Sequence, residues 1–433
     1  MHHPVFKNAS LNWLLVWSSL VLTAVGTSPI AWAQGPATTE TAATDAAWCW
    51  FSDPRAVYHQ GTLYFGYINS RGDVLISART TASGQTTTCV LHEQLQIDDH
   101  NVPSILILPD GHLLAFYTEH NGKFFLRKSK KPGDISAWDD ERVLPFGNRV
   151  SYSHPVLLEK ENNRIYLFWR GSDWRPSFSY SNDGGSTWAD ERPLIDSRGL
   201  SNAHRPYLKV TSNHQDRIDF IFTDGHPSRE ETNSVYHAYY QKGTFHQTNG
   251  ERIGTWEELP LQHGNINKVY DATTTGQRAW IWDVALDAKN RPVVVYNRFP
   301  SETDHRYHYA RWNGRKWVDE ELAQAGGWMP ITPASGQTRE PHYSGGLVLN
   351  PADVRQVYLS RPVEGTFEIE RWEKKKKKAW HRVALTSGST KNNVRPYVVA
   401  HAPANQVHVL WMSGDYHHYT RFDTDLKIQS RNP

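Results

Sequence analysis

A short phrase recurs seven times along this chain: an apolar strand, a tight polar turn, and a second apolar strand ending on an aromatic residue or leucine. The second strands end near Tyr67, Tyr117, Trp169, Phe222, Tyr296, Leu359 and Trp411, at spacings of 50, 52, 53, 74, 63 and 52 residues. A period near 50 built from short strands is the mark of a β-propeller, one blade per repeat. A single repeat cannot bury both faces of its own sheet, so the copies must stack side by side. The sequence therefore predicts an all-β protein. Residues 47–433 are expected to form one domain, a seven-bladed β-propeller of four-stranded antiparallel blades.

Composition fits that reading. Aromatics are 12% of the chain and Trp occurs 18 times, enough to fill the wedges between blades. The formal net charge is +2, which excludes the polycationic surface of a nucleic-acid binder. Tryptophans after polar turns (Trp138, Trp188, Trp256, Trp317 and Trp380) mark the outer strands. One of them closes an Asp-box, Ser181-x-Asp183-x-Gly185-x-Thr187-Trp188, whose expected role is structural. Lys374 to Lys378 read as a solvated outer loop.

The N-terminus carries an export signature: Lys7, an apolar stretch from Leu14 to Ala24, and Ala31-Trp32-Ala33 before Gln34. Residues 1–33 are thus expected to be a signal peptide, residues 34–46 a disordered lead-in, and the mature protein secreted or periplasmic. The apolar stretch is too short to suggest a membrane span. The two cysteines, Cys49 and Cys89, both fall in the first repeat, and in an oxidising compartment they are candidates for a disulfide. A monomer is expected.

In an antiparallel hairpin the start of the first strand lies beside the end of the second. Collecting these positions from every copy should assemble one rim of the propeller. Blades two to four concentrate chemistry there: His100, Asn101, His120, Tyr152, His154, Arg170, Arg205 and Tyr207. His100 and His120 each lie ten residues from Asp110, at the centre of their turn, which predicts cross-strand neighbours. The same counting sets Tyr152 and His154 opposite Arg170. We expect His100, His120, Tyr152 and Tyr207 to be catalytic, and Arg170, Arg205, Asn101 and His154 to bind substrate.

Histidines, tyrosines and arginines with few carboxylates do not make a glycosidase, which normally opposes two carboxyl groups. They suit β-elimination from a uronic acid. An arginine would neutralise the sugar carboxylate while a histidine or tyrosine removes the C5 proton and another protonates the leaving oxygen. Residue type alone leaves the base and the acid unassigned. Two other readings stay open: a sialidase-like exo-hydrolase, and a non-catalytic carbohydrate-binding propeller. A sialidase would need a glutamate to activate its tyrosine, and none lies at a strand start.

The segments Asp99-His100-Asn101-Val102-Pro103-Ser104, Thr118-Glu119-His120 and Tyr166-Leu167-Phe168-Trp169-Arg170-Gly171 resemble the BNR-repeat propeller polysaccharide lyases, the ulvan lyases and related rhamnosyl-glucuronate lyases. Thr223-Asp224-Gly225-His226-Pro227 and Asn233-Ser234-Val235-Tyr236-His237 fit the same pattern. The resemblance implies endo-type elimination on an anionic, sulfated or rhamnose-linked uronate polymer, with ulvan the leading substrate. It carries the paired histidines onto His100 and His120, the Tyr/Arg hairpin onto Tyr152 and Arg170, and a further tyrosine onto Tyr207. No cofactor is expected for the chemistry. Some relatives carry a structural zinc or calcium ion, for which His226, His237 and His246 are weak candidates.

Overall fold

A computed structural model describes residues 38–196, 205–327, 343–375 and 379–431. The expected signal peptide, residues 34–37 of the lead-in and Lys376 to Lys378 lie outside the described residues. Seven antiparallel blades follow in chain order: residues 56–92, 104–143, 151–193, 208–255, 278–326, 347–384 and 392–431. Each runs outward from its first strand, and the second and fourth carry short extra strands. The compact unit begins at Thr38.

Central strands are buried on both sides and so read as unbroken apolar runs rather than alternating ones. Ile165 to Arg170 of blade three are all buried, and so are Leu113 to Thr118 of blade two. Outer strands face water, as in Thr86–His92, where only Leu91 is buried. Tryptophans wedge the blades apart as expected. Trp188 meets Phe116 of blade two edge-on at 5.9 Å, and Phe146 stacks on Trp169 at 4.3 Å. In the Asp-box, Asp183 accepts from the Thr187 amide and hydroxyl, while Ser181 Oγ accepts from the Gly185 amide.

The start of the described chain corrects the lead-in expectation. Glu40–Ala43 is the outermost strand of blade seven and pairs antiparallel with Arg421–Arg431, Glu40 opposite Ile428. Thr- and Ala-rich sequence is compatible with an edge strand, and here it finds a partner that only ring closure supplies. Lys374 is also placed differently from a free loop: it ends the strand Thr366–Lys374 and forms an ion pair with Glu320. The Cys49–Cys89 bridge is not formed, and both thiols are free. Cys49 is buried in the segment before blade one's innermost strand, where its amide donates to the Asp99 carbonyl, whereas Cys89 is on that blade's outermost strand. Three strand spacings of about 4.8 Å separate the inner and outer strands of a blade, far beyond disulfide reach.

Residues 48–53 cross the axis and close the central tunnel on one side. Trp50 stacks on Trp282 at 4.3 Å, and Phe51 touches Tyr152, Tyr207 and Trp280 at 5.1, 5.1 and 5.4 Å. Beneath this aromatic plug Asp53 forms ion pairs with Arg55 and Lys209. The tunnel below the plug is a cavity of about 420 Å³ opening among the hairpin turns, with His214, Asn290, Asn350 and His401 in its wall. The rim predicted to carry chemistry lies on the other side of the plug.

Candidate active site

Local backbone conformation decides which rim side chains meet. Residues 99–101 form a single turn of 3-10 helix ahead of blade two's first strand, capped by Asp98, whose carboxylate accepts from the His100 amide at 3.0 Å. His100 therefore sits on a turn rather than on a strand. The predicted pairing with His120 nevertheless holds: the two imidazoles stack with centroids 4.0 Å apart and planes at 11°. Asp98 bridges them, with one oxygen 2.5 Å from His100 Nδ1 and the other 2.8 Å from His120 Nδ1. Each Nδ1–H donates to the carboxylate, which leaves both Nε2 atoms for other partners. Gln96 fixes the same loop by accepting from the His120 amide at 2.8 Å.

Blade three departs from simple hairpin counting. Ser151, not Tyr152, lies opposite Arg170, and a bulge between Ser151 and His154 breaks the ladder. Tyr152 occupies the bulge with φ 64°, a left-handed conformation unusual for a bulky side chain. The bulge turns the Tyr152 ring toward the rim, 5.4 Å from His100 and 4.8 Å from the Arg170 guanidinium carbon. His154, two residues on, is directed into the tunnel wall instead. It is 2% exposed and burial holds its pKa down to about 3, so it is a neutral structural residue and not a substrate contact.

Arg170 is the electrostatic centre of the rim. It is 6% exposed, and its guanidinium donates to Tyr207 Oη at 2.9 Å, Asn121 Oδ1 at 3.0 Å and Ser151 Oγ at 3.1 Å. All three acceptors are neutral. Among the described residues it forms no ion pair, although most buried arginines do. Trp174 lies beneath both Arg170 and Arg205, each guanidinium carbon 4.8 Å from the ring. Tyr207 completes the group 6.0 Å from Tyr152.

Protonation states follow from this packing. Burial lifts the Tyr152 hydroxyl well above its ordinary range, against the pull of Arg170, so the phenol keeps its proton. Burial, and then the neighbouring His100, hold His120 below the ordinary histidine value despite the opposing Asp98. Asp98 is itself depressed because two imidazoles hydrogen bond to it, which outweighs its burial. The resting site thus holds a neutral imidazole, a protonated phenol and a guanidinium without an anionic partner.

Counting along hairpins brought His100, His120, Tyr152, Arg170 and Tyr207 together, with Arg205 next to them. Asn101 is corrected: it is fully buried and its amide donates to Gln96 Oε1 at 3.2 Å, so it supports the loop and does not face substrate. Among the described residues, His226, His237 and His246 do not gather into one ligand cluster. His226 lies near Tyr207 and bonds Ser228, His237 is enclosed between Asp219 and Thr248, and His246 bonds the Gly250 carbonyl. Two contributors went unread in the sequence. One is Asp98; the other is Tyr419, from the turn between blade seven's last strands, edge-on to His100 at 4.9 Å and His120 at 5.6 Å. The Asp-His spacing was a signal for the first, and nothing local signals the second.

The fold is that of a seven-bladed β-propeller, and the chain belongs to the BNR repeat-containing family, whose profile matches residues 62–325. Among curated proteins it is similar to an ulvan lyase of Pseudoalteromonas sp. (strain PLSV), at 24% identity over 61% of this chain and 62% of that protein. It is also similar to an ulvan lyase of Alteromonas sp. (strain LOR), at 23% identity over 74% of this chain and 72% of that one. The match thus spans a little over three fifths of the first relative's length. The solved structure of a PL25 ulvan lyase bound to -[GlcA(1-4)Rha3S]- superposes with TM-score 0.67 at 16% identity, covering 91% of this chain and 94% of that one. At that identity the likeness establishes the fold alone.

Proposed function

We propose that this protein is an exported polysaccharide lyase that cleaves a uronate-containing polymer, ulvan first among them, by β-elimination. The observation that carries the reading is Arg170: a buried guanidinium with only neutral acceptors, set beside two imidazoles and a protonated phenol. A sugar carboxylate would supply its missing counter-charge. That pairing withdraws charge from C5 and stabilises the enolate-like species formed when the C5 proton leaves. The two ulvan lyases among the relatives support the same substrate class.

In this reading an Nε2 lone pair of the His100/His120 pair takes the C5 proton. The C5–H electrons form the C4–C5 double bond, the C4–O4 bond breaks, and O4 takes the proton of Tyr152. The imidazolium then returns its proton to the tyrosinate, and the balance closes with an unsaturated uronyl end and a new hydroxyl end. Tyr207 and Arg205 orient the sugar from the neighbouring blade. Glu119, the carboxylate nearest to hand for a sialidase-like tyrosine, instead accepts the Lys123 amide in its own turn at 2.6 Å. Appearance of near-ultraviolet absorbance on ulvan, abolished by His120→Ala, tests the reading. A reducing end without absorbance would favour hydrolysis, and sugar binding without either product would favour a lectin.

A further inference from the structure

We infer that Asp98 is a positioning residue that sets both imidazoles in one tautomer and limits the pair to a single extra proton. The inference rests on the lyase reading for its catalytic consequence, but its structural part stands on geometry alone. Asp98 is 6% exposed and its two carboxylate oxygens are divided between two rings, 2.5 Å from His100 Nδ1 and 2.8 Å from His120 Nδ1. A carboxylate is an acceptor only, so each contact requires a proton on the histidine nitrogen. Both rings are then Nδ1–H tautomers with bare Nε2 atoms, the form that accepts a proton from substrate.

The neighbouring carboxylate cannot substitute. Asp99 is fully buried and turned the other way, with Oδ2 accepting from Arg395 Nη1 and Tyr416 Oη, both at 2.5 Å. Its other oxygen stands 3.3 Å from His100 Nδ1, a longer approach to one ring only. Sequence neighbours thus divide the work: Asp99 ties the turn to blade seven, and Asp98 serves the histidines.

Charge counting gives the second half. Facing the pair are Asp98 and Asp99 from their own turn, the Cys49 thiol from the axial segment, Arg170 and Tyr152 from blade three, and Arg395, His418 and Tyr419 from blade seven. With Asp99 paired to Arg395, Asp98 remains as the anion in contact with both rings. Two imidazolium rings stacked at 4.0 Å would repel strongly with one carboxylate between them. The first proton therefore excludes the second. A proton taken from C5 must leave before the other ring can act, so each pair handles one substrate proton per turnover.

Asp98→Asn tests this. An amide offers one oxygen acceptor and an NH2, so one ring must present an Nδ1 lone pair and move its proton to Nε2. We expect kcat on ulvan to fall on the order of 10²- to 10⁴-fold with KM changed less than about threefold. Removing the anion also disfavours the imidazolium, so the acid limb of the kcat profile should shift to lower pH. Asp98→Glu, which keeps the charge, should recover part of the rate. Wild-type kcat in Asp98→Asn, or a loss with an unmoved acid limb, would overturn the inference. Imidazole 15N spectra of the wild-type protein give a readout independent of folding variants: both rings should be Nδ1–H, and an Nε2–H form in either would overturn it. If wild type makes no unsaturated product, the lyase reading fails while the spectra still decide the tautomers.

Discussion

At the scale of single residues, Arg170 carries the electrostatics of the rim. Its side chain spans three acceptors and lies over three rings, a fit that a lysine ammonium cannot reproduce. Arg170→Lys should leave the fold intact and lower kcat/KM on a uronate polymer by on the order of 10²-fold, the cost of losing a preorganised donor to developing charge. Initial rates at matched substrate concentrations check this. An unchanged rate would remove Arg170 from the mechanism. Residue identity was legible here because hairpin ends are countable from their turns. Asp98 was not, because nothing in a run of two aspartates says which one faces the histidines. That depends on a single turn of 3-10 helix. Tyr419 was out of reach for a simpler reason: it comes from a turn some three hundred residues further along the chain.

At the scale of elements, one bulge accounts for the main misreading. Regular pleating would put Tyr152 and His154 on the same side of their strand. The extra residue between Ser151 and His154 separates them, sending one to the rim and the other to the tunnel. Blades five and seven have bulges at equivalent places, beside Trp282 and Arg395, so repeat periodicity alone could not reveal where the ladder breaks. Tyr152→Phe should preserve the left-handed backbone and thermal stability yet lose the proton donor, lowering kcat by about 10²-fold or more. Loss of stability without loss of rate would contradict the assignment. The strand Glu40–Ala43 offers a second test. Deleting residues 38–46 removes the outer strand of the closing blade and should lower Tm by at least about 5 °C in a thermal scan. No change would show that the strand adds nothing to closure.

At the scale of the whole molecule, the ring holds buried histidines neutral in its interior. His154 and His308 are both held down to about 3, chiefly by burial, against an unfolded value near 6.5. As pH falls below about 6.5 the unfolded chain binds protons that the native chain refuses, so stability declines toward pH 3. Each group contributes at most about 1.4 kcal/mol per pH unit across that window. Urea midpoints at pH 7.5 and 5 should show the loss, and His154→Asn should flatten it. Equal pH dependence in wild type and variant would mean His154 titrates normally. The blade count and ring architecture were readable because a solenoid-like core writes itself into the spacing of every copy. The tunnel plug and its ionic layer were not, since they are made by one non-repeating segment, residues 48–53, that meets blades three, four, five and seven.

The central claim is that the rim performs elimination through the histidine pair. It is tested most directly by following near-ultraviolet absorbance on ulvan, gum arabic-type and alginate polymers with wild type, His100→Ala and His120→Ala side by side. The account predicts a steady rise with wild type on at least one rhamnose-linked uronate polymer, and a loss of about 10²-fold or more in both variants. No rise on any uronate polymer would contradict lyase activity, and undiminished rates in both variants would contradict the site.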